Sequence, residues 1–528
     1  MTTLRIPVVR SQSLIGFSLL VLGLWVAYEV GGKIAAGDLH TIALIAIGFT
    51  GCTLAVTILR NWRAGFYSFL TWLLFEDLVR KYMGNNVALF FGKDVLAFLT
   101  YISLFAAIRA GREKSFRPKF LLFLAIFMWL GLMQIFNPNS PHVLYGVLGF
   151  KIYFFYVPLM FVGYALIRTD EDLRKFLVAN ALLAGVIATL GIIQAIVGHS
   201  FLNPSNLAPE LRELGELDKY SPLTNQVLSL PTGVFVSAGR LAQYLILAAI
   251  LLIGSSGYFV LYTRRSRKLI FVVTAIVGGA ILLSGSRGAV VYGAASVFVL
   301  AAGFLWGAPW RQGQAHRMTK AIRRSLVGAA LGLAAILLIF PSQVGSRLAF
   351  YEETLSPSSS AYEVSHRTWD YPIYNLMLAF TNPNWVMGNG IGTASLGSQY
   401  VSQLLGEKPF SLWVEEGYGQ LIIEMGIVAP FLWILWTTAL LYYMWQVLRR
   451  LRQTRFFPIA FAIFWYSFLL LYPFTYGGLA PYQNYVGNAY FWLLVGIFFA
   501  LPEILVNAPS APVLAHPSRK GIRARFQF

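Results

Sequence analysis

Apolar runs long enough to cross a lipid bilayer recur along almost the whole chain, from residues 14–30 to residues 490–504. A bilayer core of roughly 30 Å needs about 20 apolar residues per helix, so each run predicts a transmembrane segment. The runs contain internal glycine and aromatic residues and lack the alternating pattern of barrel strands, which favours helices. The pattern therefore predicts an all-α, polytopic transmembrane helical bundle.

About fourteen candidate spans can be distinguished in this pattern. They lie near residues 14–30, 39–59, 65–76, 94–109, 119–136, 150–167, 176–197, 240–262, 269–285, 288–307, 325–341, 416–445, 457–473 and 484–504. Two connections are much longer than the rest, the outer loops 198–239 and 342–415. We predict one transmembrane domain over residues 1–508, with the longer outer loop partly helical, and a basic tail over residues 509–528.

The lysine and arginine clusters fall in alternate connections, which orients the bundle. They lie at Arg60 with Arg63 and in residues 109–119, 168–175, 264–268, 311–324, 449–455 and 519–525. Cytoplasmic connections carry an excess of basic residues, so this alternation predicts that both termini are cytoplasmic and that the two long loops lie outside.

Composition agrees with a lipid environment. Hydrophobic residues make up 57% of the chain and charged residues 12%, which leaves too few polar groups for the surface of a water-soluble fold of this size. The net charge of +19 is explained by the cytoplasmic clusters, so we expect membrane lipids as partners and no nucleic acid. The run 14–30 is longer than a signal-peptide core of about 7 to 15 residues, so it predicts an uncleaved first helix. The single cysteine, Cys52, excludes an intramolecular disulfide.

Three arginines are predicted on the outer face. Arg287 lies in "LLSGSRGAVVYG" between two apolar runs, and Arg347 and Arg367 lie in the loop 342–415. A guanidinium is a permanent forked donor that suits phosphate oxygens, so the set indicates an anion site. The alternative is interfacial arginines that reach lipid phosphates.

Two adjacent carboxylates, Glu415 and Glu416, stand at the predicted outer mouth of the span 416–445, with Glu424 about two turns deeper. Like-charge proximity and desolvation raise a carboxyl pKa toward neutrality, which suits a general base. The alternative is an acidic first turn that complements the helix dipole.

Further polar candidates are weaker. His366 lies beside Arg367, and without a second histidine or a cysteine at ligand spacing we predict no metal site. Arg80 and Lys81 end a predicted outer helix together with Glu76, where they either pair internally or touch substrate. Thr169 and Asp172 form a predicted capping box, which accounts for the apparent D-x-D motif at Asp170. The glycines of "GNGIG" at 388–392 lack a dinucleotide-binding context and predict a turn.

Several strings together resemble the O-antigen ligase and polysaccharide polymerase superfamily of bacterial inner membrane proteins. They are "SGSRGA", "HRTWDYPIYNLMLAF…NPNWVMGNGIGT", "EEGYGQLIIEMGI", "GFKIYFFYVPLMFVGYAL" and "LPTGVFVSAGRLAQYL", the last of which contains Arg240. The resemblance covers roughly residues 60–500, and it is carried by the order and spacing of short motifs.

The resemblance implies a GT-C-type membrane glycosyltransferase that takes a glycan from undecaprenyl pyrophosphate on the periplasmic face, with no nucleotide sugar, metal or cofactor. Arg287 and Arg367 match arginines of the family's motifs, and Arg347 matches less closely; these would bind pyrophosphate, with Arg240, Arg80, Lys81 and His366 as further substrate-binding candidates. Ligases generally have His-Asn where this chain has Glu415 and Glu416, which favours a polymerase with Glu416, or Glu415 in its place, as the base. A flippase and a chain-length regulator would be its partners.

Three alternatives stay open at this point. A ligase would pass the glycan to lipid A core or to another acceptor. A transporter of lipid-linked oligosaccharide would need ionisable residues near mid-membrane and an internal repeat. A transferase that uses polyprenyl monophosphate sugars would place an acid in the first outer loop, where Asp38 is the candidate.

Overall fold

The computed structural model describes residues 51–85, 87–214, 218–225, 227–262, 266–308, 337–407 and 414–507, with a few separate positions between 320 and 334. The predicted all-α class is confirmed for this part of the chain, which holds many helices and one small antiparallel sheet. The predicted span 14–30, most of 39–59 and of 325–341, Asp38 and the tail 509–528 lie outside the described residues.

The helices are numbered in chain order. They are α1 Gly51–Arg60, α2 Trp62–Met83, α3 Val87–Arg109, α4 Leu121–Gln134, α5 Val143–Phe154, α6 Leu159–Leu166, α7 Asp170–Val197, α8 Pro209–Leu214, α9 Ala238–Tyr262, α10 Arg267–Leu283, α11 Arg287–Gly307, α12 Pro341–Leu355, α13 Tyr371–Phe380, α14 Ser398–Leu405, α15 Gly417–Met425, α16 Val428–Leu451, α17 Phe457–Leu471, α18 Pro473–Gly477, α19 Ala480–Gln483 and α20 Tyr485–Asn507. A π-helical turn, His366–Asp370, leads into α13. Strands β1 Asp218–Tyr220 and β2 Val227–Ser229 pair antiparallel, with Lys219 opposite Leu228.

Eight segments of the described chain are long and apolar enough to cross a membrane. They are Ala88–Arg109, Val143–Leu166, Asp170–Val197, Ala238–Leu261, Arg287–Gly307, Val428–Leu451, Phe457–Gly477 and Tyr485–Val506. Because lipid offers no hydrogen bonds, such segments satisfy their backbone groups internally as helices. The chain is therefore a membrane protein, whereas the count of about fourteen spans stays a prediction.

Side-chain contacts identify one end of the described bundle. At this end the start of α7 meets α2 and the connection between α16 and α17, since Asp172 lies 3.8 Å from Arg63 and Asp170 pairs with Arg455. The capping box predicted at Thr169 forms here. The other end carries the two long loops, and we call it the loop end.

The junction between α10 and α11 is as tight as the sequence predicts. Gly285 has φ +67°, and a Cβ there would lie 2.3 Å from the Leu230 side chain. Ser286 then caps α11 by accepting a hydrogen bond from the Ala289 N–H. This turn places Arg287 in the first helical position at the loop end.

The single helix predicted over residues 416–445 is wrong, because the chain breaks there into α15 and α16. Gly426 between them has φ +79°, and a Cβ at this position would lie 2.2 Å from the Val386 carbonyl oxygen. Glu416 therefore caps a helix of nine residues instead of opening a long transmembrane helix.

Candidate functional site

A cavity of about 400 Å³ opens at the loop end, among the first turns of several helices. Its walls come from α3, α5, α9, the segment 393–400 and the start of α20. The lining residues are Phe90, Lys93, Leu148, Lys151, Ile152, Tyr156, Arg240, Thr393, Ala394, Ser395, Leu396, Gly397, Ser398, Gln399, Tyr400, Gln483, Asn484 and Tyr485. A volume of this size is typical of a small-molecule site.

Three basic side chains from three different helices line this cavity. Lys93 is buried and its Nζ lies 2.9 Å from a Glu76 carboxylate oxygen. Lys151 is half-buried and lies 2.6 Å from Asp94 Oδ2. Each of the three cationic groups also lies over an aromatic ring. The distances to the ring centroid are 3.7 Å from Lys93 to Phe90, 4.4 Å from Lys151 to Phe91 and 4.8 Å from Arg240 to Tyr485.

Further charged side chains, from α2, lie behind the cavity. Arg240 Nη1 lies 2.8 Å from Asp77 Oδ2, and Asp77 also contacts Arg80 at 3.2 Å. Lys81 is buried next to Arg80 and donates to Thr232 and to the Gly233 carbonyl, each at 2.9 Å. Arg80 and Lys81 thus contact protein groups, and Arg240 is the member of the predicted set that reaches the cavity.

The cluster carries more positive than negative charge. Its described members are five basic residues, Arg80, Lys81, Lys93, Lys151 and Arg240, and three acidic residues, Glu76, Asp77 and Asp94. The difference, five minus three, is a formal charge of +2 when all are ionised. The three cations that line the cavity pair with the three carboxylates, so the excess of two comes from Arg80 and Lys81 behind the wall. Buried charges are costly unless they are compensated, so the excess charge of the whole cluster favours an anionic ligand in the cavity.

The segment 393–400 that closes one side is shaped by the glycine run predicted as a turn. Gly388, Gly390 and Gly392 all have φ between +79° and +97°. A Cβ on Gly392 would lie 2.1 Å from the Tyr145 carbonyl oxygen, so only glycine lets the turn pack on the start of α5. The glycine run therefore fixes the path of the wall.

Buried polar side chains hold that wall from behind. Glu424 Oε1 accepts hydrogen bonds from the Ala394 N–H at 3.0 Å and the Ser395 hydroxyl at 2.6 Å. Gln420 Nε2 donates to the Ala394 carbonyl at 2.9 Å, and the Leu396 N–H donates to Gln483 at 3.0 Å. One face of α15 therefore supports the cavity wall.

Arg287 and Arg367 are linked through one shared carboxylate, that of Glu363. Glu363 Oε2 lies 2.7 Å from Arg287 Nη1 and 3.7 Å from Arg367 Nε. Arg367 also contacts Glu415 Oε2 at 3.4 Å. The structure thus joins the two arginines and one predicted carboxylate in a single chain of ion pairs, through Glu363, which the sequence reasoning did not single out.

Glu416 takes no part in that chain of ion pairs and caps α15 instead. Its side chain is 1% exposed and caps α15 by accepting from the Tyr418 and Gly419 N–H groups. Burial raises the pKa of Glu416 to about 7, although these two hydrogen bonds act in the opposite direction. Gln420, one turn further along α15, donates a hydrogen bond to Ala394 in the cavity wall. Glu416 therefore lies one helical turn, about 6 Å along the axis, from a residue that supports this wall.

Arg347 and His366 occupy other positions. Arg347 is buried, and its guanidinium donates to the backbone carbonyls of Leu283, Gln343, Ala195 and Ser229 at 2.6 to 3.3 Å. Those bonds tie α12 to neighbouring segments and use four of the five N–H donors of Arg347. His366 is exposed on the π-helical turn, 3.7 Å from Asp370.

Comparison with models of protein families, with curated proteins and with solved structures found no match. Within the described residues no group of three or more histidine, cysteine, aspartate or glutamate side chains could hold a metal ion.

Lys93, Asp94 and Lys151 were not singled out by sequence reasoning, although a signal for them exists. Lys151 lies in the predicted span 150–167, and Lys93 with Asp94 stands at the start of the span 94–109. An ionisable residue inside a transmembrane segment is costly and usually marks a functional site, so this rule would have selected them.

Proposed function

We propose that this chain is a membrane glycosyltransferase that polymerises undecaprenyl-pyrophosphate-linked repeat units into exopolysaccharide or O-antigen. The observation that carries the proposal is the cavity at the loop end, where Lys93, Lys151 and Arg240 converge within a cluster of net charge +2. The sequence resemblance supplies the substrate class, and the cavity supplies a site for its anionic group. The reaction would take place on the outer face of the bacterial inner membrane.

The chemistry needs a site for a leaving group that gains negative charge. When the acceptor hydroxyl oxygen bonds to the anomeric carbon of the donor, the bond from that carbon to the phosphate oxygen breaks and undecaprenyl pyrophosphate leaves. Fixed cations in a semi-dry cavity stabilise the charge that develops on the pyrophosphate. Arg240 offers a planar fork of donors, while Lys93 and Lys151 act as point charges.

The acceptor hydroxyl must lose a proton in the same reaction, and Glu416 is the proposed base. Its pKa of about 7 suits proton transfer near neutral pH. It lies one turn before Gln420, whose side chain touches the cavity wall. Arg287 pairs with Glu363, and Arg367 pairs with Glu363 and Glu415; both arginines would exchange these carboxylates for phosphate oxygens of a lipid-linked substrate.

The direct test is elongation by the purified protein in nanodiscs. Lipid-linked repeat units should give a ladder of longer products in excess EDTA, because the proposed mechanism uses no metal. Lys151→Met and Arg240→Met should each lower turnover about a hundredfold to a thousandfold, the usual effect of removing a transition-state donor. Arg449→Met changes an exposed arginine at the opposite end of the bundle and should leave turnover unchanged.

Removal of Lys151 leaves the Asp94 carboxylate without that partner, so folding needs its own control. The double variant Lys151→Met with Asp94→Asn removes both charges and should elute as a monodisperse protein yet remain inactive. Wild-type elongation by this double variant would overturn the cavity assignment. Elongation that stops in EDTA and returns with Mg²⁺ would overturn the metal-independent mechanism.

A lipid-linked oligosaccharide transporter is a second candidate, because eight ionisable residues cluster in and behind the cavity. Charged residues buried in a membrane bundle commonly line ion or substrate pathways. In proteoliposomes, a transporter would move a labelled lipid-linked glycan between leaflets without forming longer chains. Transfer of one glycan to lipid A core, with no ladder, would instead indicate a ligase.

A further inference from the structure

Helix α13 presents an apolar face that other described residues leave uncovered. Its exposed residues are Ile373 at 45%, Tyr374 at 64%, Met377 at 60%, Leu378 at 38% and Phe380 at 39%. The stretch 371–380 contains no charged residue. A surface helix in water normally turns a polar face outward, so this face is not suited to solvent.

The opposite face fixes the orientation of the helix. Pro372, Asn375 and Ala379 are buried, and Ala379 packs in a cluster with Ile422 and Ile423 of α15. Asn375 also accepts a hydrogen bond from the Glu415 N–H. These contacts hold the apolar face of α13 outward.

That face continues into the surface of α4, a predicted membrane helix. The side chains of Gln134 and Asn137, at the loop end of α4, donate to the Met387 carbonyl at 2.9 and 3.1 Å. Met387 is 65% exposed, and so are Met133 at 59% and Phe136 at 74% near the same end of α4. The exposed apolar surface therefore runs from α4 through residues 386–387 toward α13.

Helix α4 is too short to cross a bilayer core by itself. A helix of 14 residues is about 21 Å long, which is less than the roughly 30 Å of a hydrocarbon core. Exposed apolar side chains just beyond its end would thus meet lipid. The exposed polar residues His366 and Asp370 lie on the turn before α13, where headgroups would solvate them.

We propose that the exposed face of α13, together with Val386 and Met387, is embedded in the acyl chains of the outer leaflet. Residues 366–387 then form an interfacial element that anchors the loop 342–415 to the bilayer. This inference is independent of the proposed catalysis, since it rests on exposure and packing alone.

Site-directed spin labelling can test this placement, because the chain has one cysteine to remove. In a Cys52→Ser background, Ile373→Cys and Met377→Cys carry the label on α13. Met133→Cys on α4 is the control for lipid, and Ser358→Cys, an exposed position of the same loop, is the control for water. Each variant is reconstituted in lipid and its accessibility to oxygen and to the water-soluble relaxant Ni(II)EDDA is measured.

Labels at 373 and 377 should match the label at 133, with oxygen accessibility above that of Ni(II)EDDA, while the label at 358 shows the reverse order. Ni(II)EDDA accessibility at 373 and 377 equal to that at 358 would place the face in water and refute the proposal. Protection from both relaxants, with dipolar broadening between labels, would show that a second copy covers the face and would refute it equally.

Discussion

Replacement of Gly392 by alanine is the sharpest test of how the cavity wall is built. Gly392 has φ +92°, and a Cβ there would lie 2.1 Å from the Tyr145 carbonyl oxygen and 2.8 Å from the Gly149 Cα. Both contacts are with the backbone of α5, which cannot rotate away as a side chain can. Alanine would therefore push the wall and α5 apart.

Gly397 provides a matched control in the same wall. It has φ +95°, but its nearest neighbour for a Cβ is the Tyr400 ring at 3.4 Å, an ordinary contact. The left-handed conformation costs about 1 to 2 kcal/mol for a residue with a Cβ, and both variants carry this cost. Gly392→Ala adds overpacking, typically about 1 to 3 kcal/mol, so its total is about 2 to 5 kcal/mol.

The measurement is thermal unfolding in detergent, followed by fluorescence-detected size exclusion. Gly392→Ala should have the lower apparent Tm of the two, and Gly397→Ala should lie between it and the wild type. Since residues 393–400 line the cavity, Gly392→Ala should also lose more of any stabilisation by added inorganic pyrophosphate. Equal melting of the two variants would show that α5 does not confine Gly392 as described.

Three further predictions follow from the same site and topology. Burial raises the pKa of Glu416 from 4.5 to about 7, so the folded protein holds this proton more tightly than the unfolded chain. The free energy of unfolding should therefore fall as pH rises from about 4.5 to about 7. The rate of elongation should rise with pH around 7, and Glu416→Gln should abolish both pH dependences. Arg287→Lys and Arg367→Lys retain the charge but lose the planar fork, so each should lose most turnover while eluting normally, and wild-type rates would make them ordinary interfacial residues. Reporter fusions should report the outside near Asn225 and the cytoplasm after Arg455, and the opposite result at Arg455 would refute the orientation.

The helices of the described chain were largely predictable from local composition. In lipid a segment must satisfy its own backbone hydrogen bonds, so an apolar run of sufficient length becomes a helix whatever it packs against. The same local rules found the capping box at Thr169, the turn at 388–392 and the tight junction before Arg287. The same rules predicted one helix over residues 416–445, but the chain breaks at Gly426. There the Val386 carbonyl oxygen occupies the space that a Cβ would need.

The site depended on contacts between distant parts of the chain. The sequence alone placed Arg287, Arg367 and Glu415 at one end of the bundle, and Glu363 turned out to link the two arginines. It could not assign Arg347 to backbone carbonyls, because the direction of a buried side chain is decided by its neighbours.

Only the tertiary structure could bring Lys93, Lys151 and Arg240 to one cavity. They belong to three helices, and each approaches a carboxylate or an aromatic ring contributed by another part of the chain. Hydropathy reports which residues enter the membrane, but it carries no information on which helices become neighbours. Packing decides those neighbours, and with them it decides where three cations and their carboxylate partners meet at an opening large enough for a ligand.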